Sequence, residues 1–134
     1  MPQMIFVNLP VKDLKASMAF FEALGFSFNP QFTDDTAACM VISDTIFTML
    51  LTHDKFASFS PKPIADTSKS LEVLTALSRD SREAVDEIVS AALAAGGTTY
   101  SEPKDYGFMY AHGFQDLDGH VWEVVWMDEG AAQG

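Results

Sequence analysis

The chain has 134 residues, of which 48% are hydrophobic and eleven are Phe, and a formal net charge of −11 at pH 7. That length and composition predict one folded domain with a substantial core, and the acidity excludes nucleic-acid and anionic-membrane partners, which require a basic patch. Cys39 stands alone, no apolar run is long enough to span a bilayer, and MPQMIFVNLP lacks the pattern of a signal peptide, so a soluble cytoplasmic protein is expected.

Residues 3–9 (QMIFVNL) read as a strand, rich in β-branched and aromatic side chains. Asp13 can cap a helix to about Leu24, with Phe20, Phe21 and Leu24 at helical spacing and Gly25 as the stop. Three strand-like runs follow, FSFNPQF, AACMVIS and TIFTMLL, separated by the turn signals TDD and SD. Residues 53–70, rich in Ser and Pro with few periodic apolar positions, read as a connector.

Beyond the connector the order repeats. LEVLTALS (71–78) reads as a strand, and Asp80 with Glu83 as a capping-box-like start. SREAVDEIVSAALAA reads as a helix stopped by Gly96 and Gly97, and TTYSE, GFMYAHGF and HVWEVVW as three more strands. Each half is β-α-β-β-β: module one over about 3–52, module two over about 71–127, then a flexible tail over 128–134. The halves align with Phe6 opposite Leu74 and Met49 opposite Glu123. Strands apolar on both faces suggest helices on one side and an enclosed interior on the other.

Glu123 interrupts the otherwise apolar strand HVWEVVW. An ionised carboxylate there needs a cation, a donor or solvent, because burying it alone costs several kcal/mol or protonates it.

The opening NLPVKDLKASMAFFEALGF, the ending DLDGHVWEVVW and the repeated element order together resemble the vicinal oxygen chelate superfamily. That group includes glyoxalase I, bleomycin-resistance proteins, fosfomycin-resistance enzymes and extradiol dioxygenases. The resemblance covers residues 4–127, and D-x-D-G-x-x-x-E, Asp116 to Glu123, is its most specific piece. It implies an α+β fold of two βαβββ modules whose mixed sheets half-wrap a cavity, commonly in a homodimer. The glyoxalase-like branch called predicted lactoylglutathione lyase is the most similar. In the metal-dependent members, His, Gln or Glu from the opening and closing strands hold a divalent ion. The matching positions here are Phe6, Met49, Leu74 and Glu123, of which only Glu123 is a hard ligand. No metal is therefore expected. A Glu123–His112 pair with water is the alternative, and two ligands make a weak site. His53 and His120 offer less: the first lies near a rim, and alternation points the second away from Glu123.

The ligand-facing candidates are Phe6, Asn8, Phe47, Met49, Leu74 and the aromatic segment 104–110 with Tyr106, Phe108 and Tyr110, with His112 at the same parity as Tyr110 and Phe114. Phe32 is a further lining candidate. Asn8 either presents its amide to a ligand or satisfies nearby backbone; the 104–110 segment is a lip over a pocket or an aromatic hairpin alone. Trp122 and Trp126 alternate with Glu123 and pack under a helix, and Asp116 and Asp118 are turn residues. Two function classes stay open. One is a protein binding a small, partly apolar molecule in an aromatic-lined cavity without metal. The other is a lyase or dioxygenase with an irregular metal site, or with Glu123 as general base. An apolar setting of Phe6, Met49 and Leu74 would raise the pKa of Glu123, whereas donors from Asn8, Tyr110 or His112 would keep it ionised.

Overall fold

The computed structural model describes residues 2–132. It divides between Asp66 and Thr67, inside the expected connector, into two units of the same design.

In the first unit, strands β1 (Ile5–Val11), β2 (Ser27–Asn29), β3 (Ala37–Val41) and β4 (Ile46–Thr52) form a sheet of order β1-β4-β3-β2. β1 and β4 run parallel and the other pairs antiparallel. The parallel pair needs a crossover, supplied by helix α1 (Leu14–Ala23). Asp13 starts α1 as expected, accepting the Ala16 N–H at 3.1 Å. Gly25, at φ +102°, ends it: its N–H bonds the Glu22 carbonyl and that of Phe26 bonds Phe21, a left-handed turn suited to glycine. Alternation along the strands buries Ala38, Met40, Thr48 and Leu50 completely on one face, and α1 packs on β3 and β4 through Phe20 and Phe21.

The second unit repeats this. Strands β5 (Leu74–Ser78), β6 (Lys104–Asp105), β7 (Met109–Gln115) and β8 (Val121–Met127) form a sheet of order β5-β8-β7-β6, with β5 and β8 parallel. Helix α3 (Arg82–Ala94) buries Val85, Ile88, Val89 and Ala92, one stripe at i, i+3, i+4 and i+7. Beneath it lie Leu77, Phe114, Trp122 and Val124, with Phe114 and Trp122 stacked. Gly96, at φ +108°, closes α3 with the same pair of bonds as Gly25. The registers confirm the alignment of the halves: Phe6 pairs with Phe47 and Asn8 with Met49, while Leu74 pairs with Val121 and Ala76 with Glu123.

Several elements differ from expectation. The connector begins with helix α2 (His53–Phe59), capped by the Thr52 hydroxyl on Lys55 N–H. Pro30 cuts the second strand short and opens a single 3-10 turn, capped by Asn29. Ser81, not Asp80, caps α3, accepting the Ala84 N–H at 3.0 Å. TTYSE is not a strand beyond one bridge from Thr98 to Gln115. There the Thr99 hydroxyl and the His112 ring take over the neighbouring carbonyls, and Pro103 has no N–H to give. Of the expected tail, helix α4 (Glu129–Ala132) forms, and Gln133 and Gly134 lie outside the described residues. No helix among the described residues is long and apolar enough to cross a membrane.

Candidate functional site

In the second unit, the face away from α3 carries Ala76, Val121, Glu123 and Val125, with Met109, Ala111 and Gly113 from β7 alongside. Glu123 is half-buried and borders a cavity of about 320 Å³. Tyr100, Tyr106, Met109 and Val125 give that cavity its apolar walls, and Glu102, Lys104 and His112 border it as well.

Tyr100 is the residue closest to the chemistry of Glu123. Its ring lies over Gly113, the β7 partner of Glu123, so closely that a Cβ on Gly113 would stand 2.1 Å from the phenolic oxygen. A glycine inside a strand here makes room for a side chain from another segment. Burial raises the Tyr100 pKa first, and the Glu123 charge and its pull on the phenolic proton raise it further. The segment carrying Tyr100 is pinned on both sides: Thr98 exchanges two backbone bonds with Gln115, and His112 Nε2 lies 2.9 Å from the Ser101 carbonyl. A ring nitrogen facing a carbonyl must carry the proton, which fixes the His112 tautomer. The sequence left open an apolar setting for Glu123 or donors from Asn8, Tyr110 or His112; the side chain whose electrostatics couple to Glu123 is Tyr100, and Gly113 was the available signal.

The structure sorts the other candidates. Tyr106 and His112 border the cavity with Glu123. Tyr110 does not share that face. It pairs with Trp126, and its hydroxyl donates to Asp86 of α3 at 2.6 Å, which pushes its pKa up to about 12. His112 has the same strand parity and reaches the cavity only from its edge. Leu74 pairs with Val121 and is 59% exposed, so Ala76, not Leu74, sits beside Glu123. Phe108 is an exposed residue at the tip of the β6–β7 hairpin. Trp122 and Trp126 lie on the α3 side, as expected; Trp122 is fully buried. Asp116 is more than a turn residue. Its buried carboxylate accepts the Asp118 and His120 N–H groups and the Trp122 indole N–H, at 2.9, 3.0 and 3.1 Å. Burial raises its pKa, while the nearby His120 and these donors pull it down.

In the first unit, Phe6, Asn8, Phe47, Met49 and Leu51 share a strand face. Phe6 and Phe47 stack with centroids 4.9 Å apart, and Phe6 is 48% exposed. Asn8 makes one long contact, 3.4 Å to the Phe6 carbonyl, and opens onto a second cavity, of about 420 Å³, with Leu51, Phe56 and Phe59. Met49 lies next to Asn8, and Phe32 is exposed beyond β2.

A family of bleomycin resistance protein-like N-terminal regions matches residues 3–43. That match covers less than a third of the chain; with the two βαβββ units and the D-x-D-G-x-x-x-E ending, it makes the chain similar in fold to proteins of the glyoxalase/bleomycin-resistance group. Among solved structures it is similar to a hypothetical protein from S. aureus, 31% identical over 93% of this chain and 94% of that one, with a TM-score of 0.78. A glyoxalase/bleomycin resistance protein/dioxygenase family enzyme from Burkholderia phytofirmans shares the fold at 21% identity, covering 94% and 99% of the chains with a TM-score of 0.77. So does a lactoylglutathione lyase from Agrobacterium tumefaciens, at 17% identity, 94% and 95% coverage and a TM-score of 0.67. No curated protein matches the sequence.

The residues do not fit the metal of the metal-dependent relatives. Of Phe6, Met49, Leu74 and Glu123, only the last offers a hard donor. Among the described residues no three His, Cys, Asp or Glu side chains gather where an ion could sit.

Proposed function

We propose that this protein binds a small, partly apolar molecule in the cavity beside Glu123, and does so without the divalent ion. The carboxylate orients a donor group of the ligand, and the apolar walls cover the rest. One observation carries this reading: Glu123 stands, half-buried, at the wall of a concave space that sets the aromatic and aliphatic side chains of Tyr100, Tyr106, Met109, Ala111 and Val125 beside a few polar groups, the mix of a small-molecule site. The donor set supports the metal-free part, since one carboxylate does not hold a divalent ion. Glyoxalase chemistry needs a metal-polarised oxygen with a base beside it, and Phe6, Met49 and Leu74 supply neither. The test is an assay on the hemithioacetal of methylglyoxal and glutathione, with Zn²⁺ or Ni²⁺ added. Turnover at background level is expected, and efficient metal-dependent turnover would overturn the proposal.

A homodimer belongs to the same proposal. Ile5, Phe6 and Leu74 lie exposed on β1 and β5, each the outer strand of its own sheet, and such edges favour a partner.

A further inference from the structure

Arg82, the first residue of α3, lies on the face of the sheet opposite Glu123, yet its contacts converge on the hairpin that borders the cavity. One guanidinium N–H pairs with the Asp105 carboxylate, and another donates to the Gly107 carbonyl at 2.8 Å. The guanidinium carbon stands 4.9 Å from the Trp126 ring centroid and 5.6 Å from that of Tyr110. Tyr110 is held in turn by Asp86, one turn along α3. Each partner on the hairpin is itself tied to the turn. Asp105 accepts the Gly107 N–H at 2.8 Å, the Tyr106 N–H bonds the Met109 carbonyl, and the Phe108 carbonyl accepts Asp128 N–H. β6 contributes only Lys104 and Asp105, so few ladder bonds hold this hairpin by themselves.

We infer that Arg82 is the positioning residue of the Glu123 cavity: acting from the far face, it fixes the 104–109 hairpin that brings Lys104, Tyr106 and Met109 to the cavity wall. A planar guanidinium suits this task because it forks onto two acceptors while stacking on aromatic faces, which a lysine ammonium does not reproduce. The inference rests on the proposed binding site for its purpose, but its physical content needs no ligand.

The experiment uses the full chain without ligand. Amide hydrogen exchange is followed at Tyr106 and Gly107, and the ¹³C-methyl resonances of Met109 and of Met40, which is buried in the other unit, are recorded. In Arg82→Gln the two amides should exchange about tenfold faster, the factor that a loss of ~1.4 kcal/mol in local opening produces. The Met109 methyl should shift or broaden while Met40 and the β8 amides stay as they are. Arg82→Lys should restore little of the protection. If Arg82→Gln fails to fold, Asp105→Asn removes the same contact from the hairpin side and should speed exchange at the same amides. Unchanged exchange at the hairpin, or acceleration that reaches β8 equally, would overturn the inference. Because both readouts are ligand-free, a protein that binds nothing would refute the proposed function and leave this result standing.

Discussion

Gly113→Ala tests the contact around which the cavity is built. The added Cβ would stand 2.1 Å from the Tyr100 oxygen, 2.7 Å from its Cζ and 3.0 Å from the Trp122 carbonyl. The first two distances force the phenol away from Glu123, and since Tyr100 is 44% exposed its ring has solvent to move into. Overpacking of this kind costs about 1–3 kcal/mol, and replacing a strand glycine returns roughly 0.5–1 kcal/mol of chain entropy. The net loss should lie within about 0–2.5 kcal/mol and centre a little above 1 kcal/mol, where Tm falls by roughly 3–5 °C at this chain length. The clash is with one removable side chain. In a Tyr100→Ala background, then, Gly113→Ala should be close to neutral, leaving a few tenths of a kcal/mol from the Trp122 carbonyl. Urea melts of the four proteins give the coupling directly. Equal losses in both backgrounds would refute the placement of Tyr100. The pair also carries a pH signature. A phenol whose folded pKa is raised holds its proton more tightly in the native state, so its contribution is present below about pH 10 and fades as pH rises through the raised value. Tyr110, raised to about 12, adds to the same alkaline loss, and Tyr100→Phe should remove only the first part.

Three further outcomes are expected. Asp116→Asn sets an amide N–H₂ against one of the three donors the carboxylate now accepts, and should lower stability by about 1–3 kcal/mol in chemical melts; an unchanged midpoint would contradict that network. Thr48→Val removes a fully buried hydroxyl that has no hydrogen-bond partner among the described residues, and should raise stability by about 1 kcal/mol, seen as a higher urea midpoint at unchanged m. Light scattering at micromolar concentration should give the mass of two chains, and a clean single-chain mass would count against the dimer.

The sequence carried the repeated element order because its signals are local. Asp13 and the two helix-ending glycines act through bonds within a few residues, and the apolar stripe of α3 is readable at helical spacing. The site was less legible because it depends on pairing register and on contacts between distant segments. Nothing near Tyr100 announces that its ring crosses to Gly113, since its own segment TTYSE has strand composition yet makes backbone ladder bonds only at Thr98, the Ser101 carbonyl meeting the His112 ring instead. Tyr110, His112 and Phe114 share one parity, yet which face that parity meets is decided by pairing with Trp126, Val124 and Trp122. Asp116 was readable as a turn residue from its neighbours; that it is buried under an indole N–H was not.

The central claim, a metal-free ligand site at Glu123, is tested most directly by methyl NMR. The protein, stripped with chelator, is titrated with small amphipathic aromatic compounds that carry an N–H or O–H donor. The account predicts that binders shift the Met109, Ala111 and Val125 methyls with no metal added, and that Glu123→Gln weakens them about tenfold or more, the loss of a charge-assisted hydrogen bond. Compounds that move none of these methyls, or move them only once a divalent ion is supplied, would contradict it.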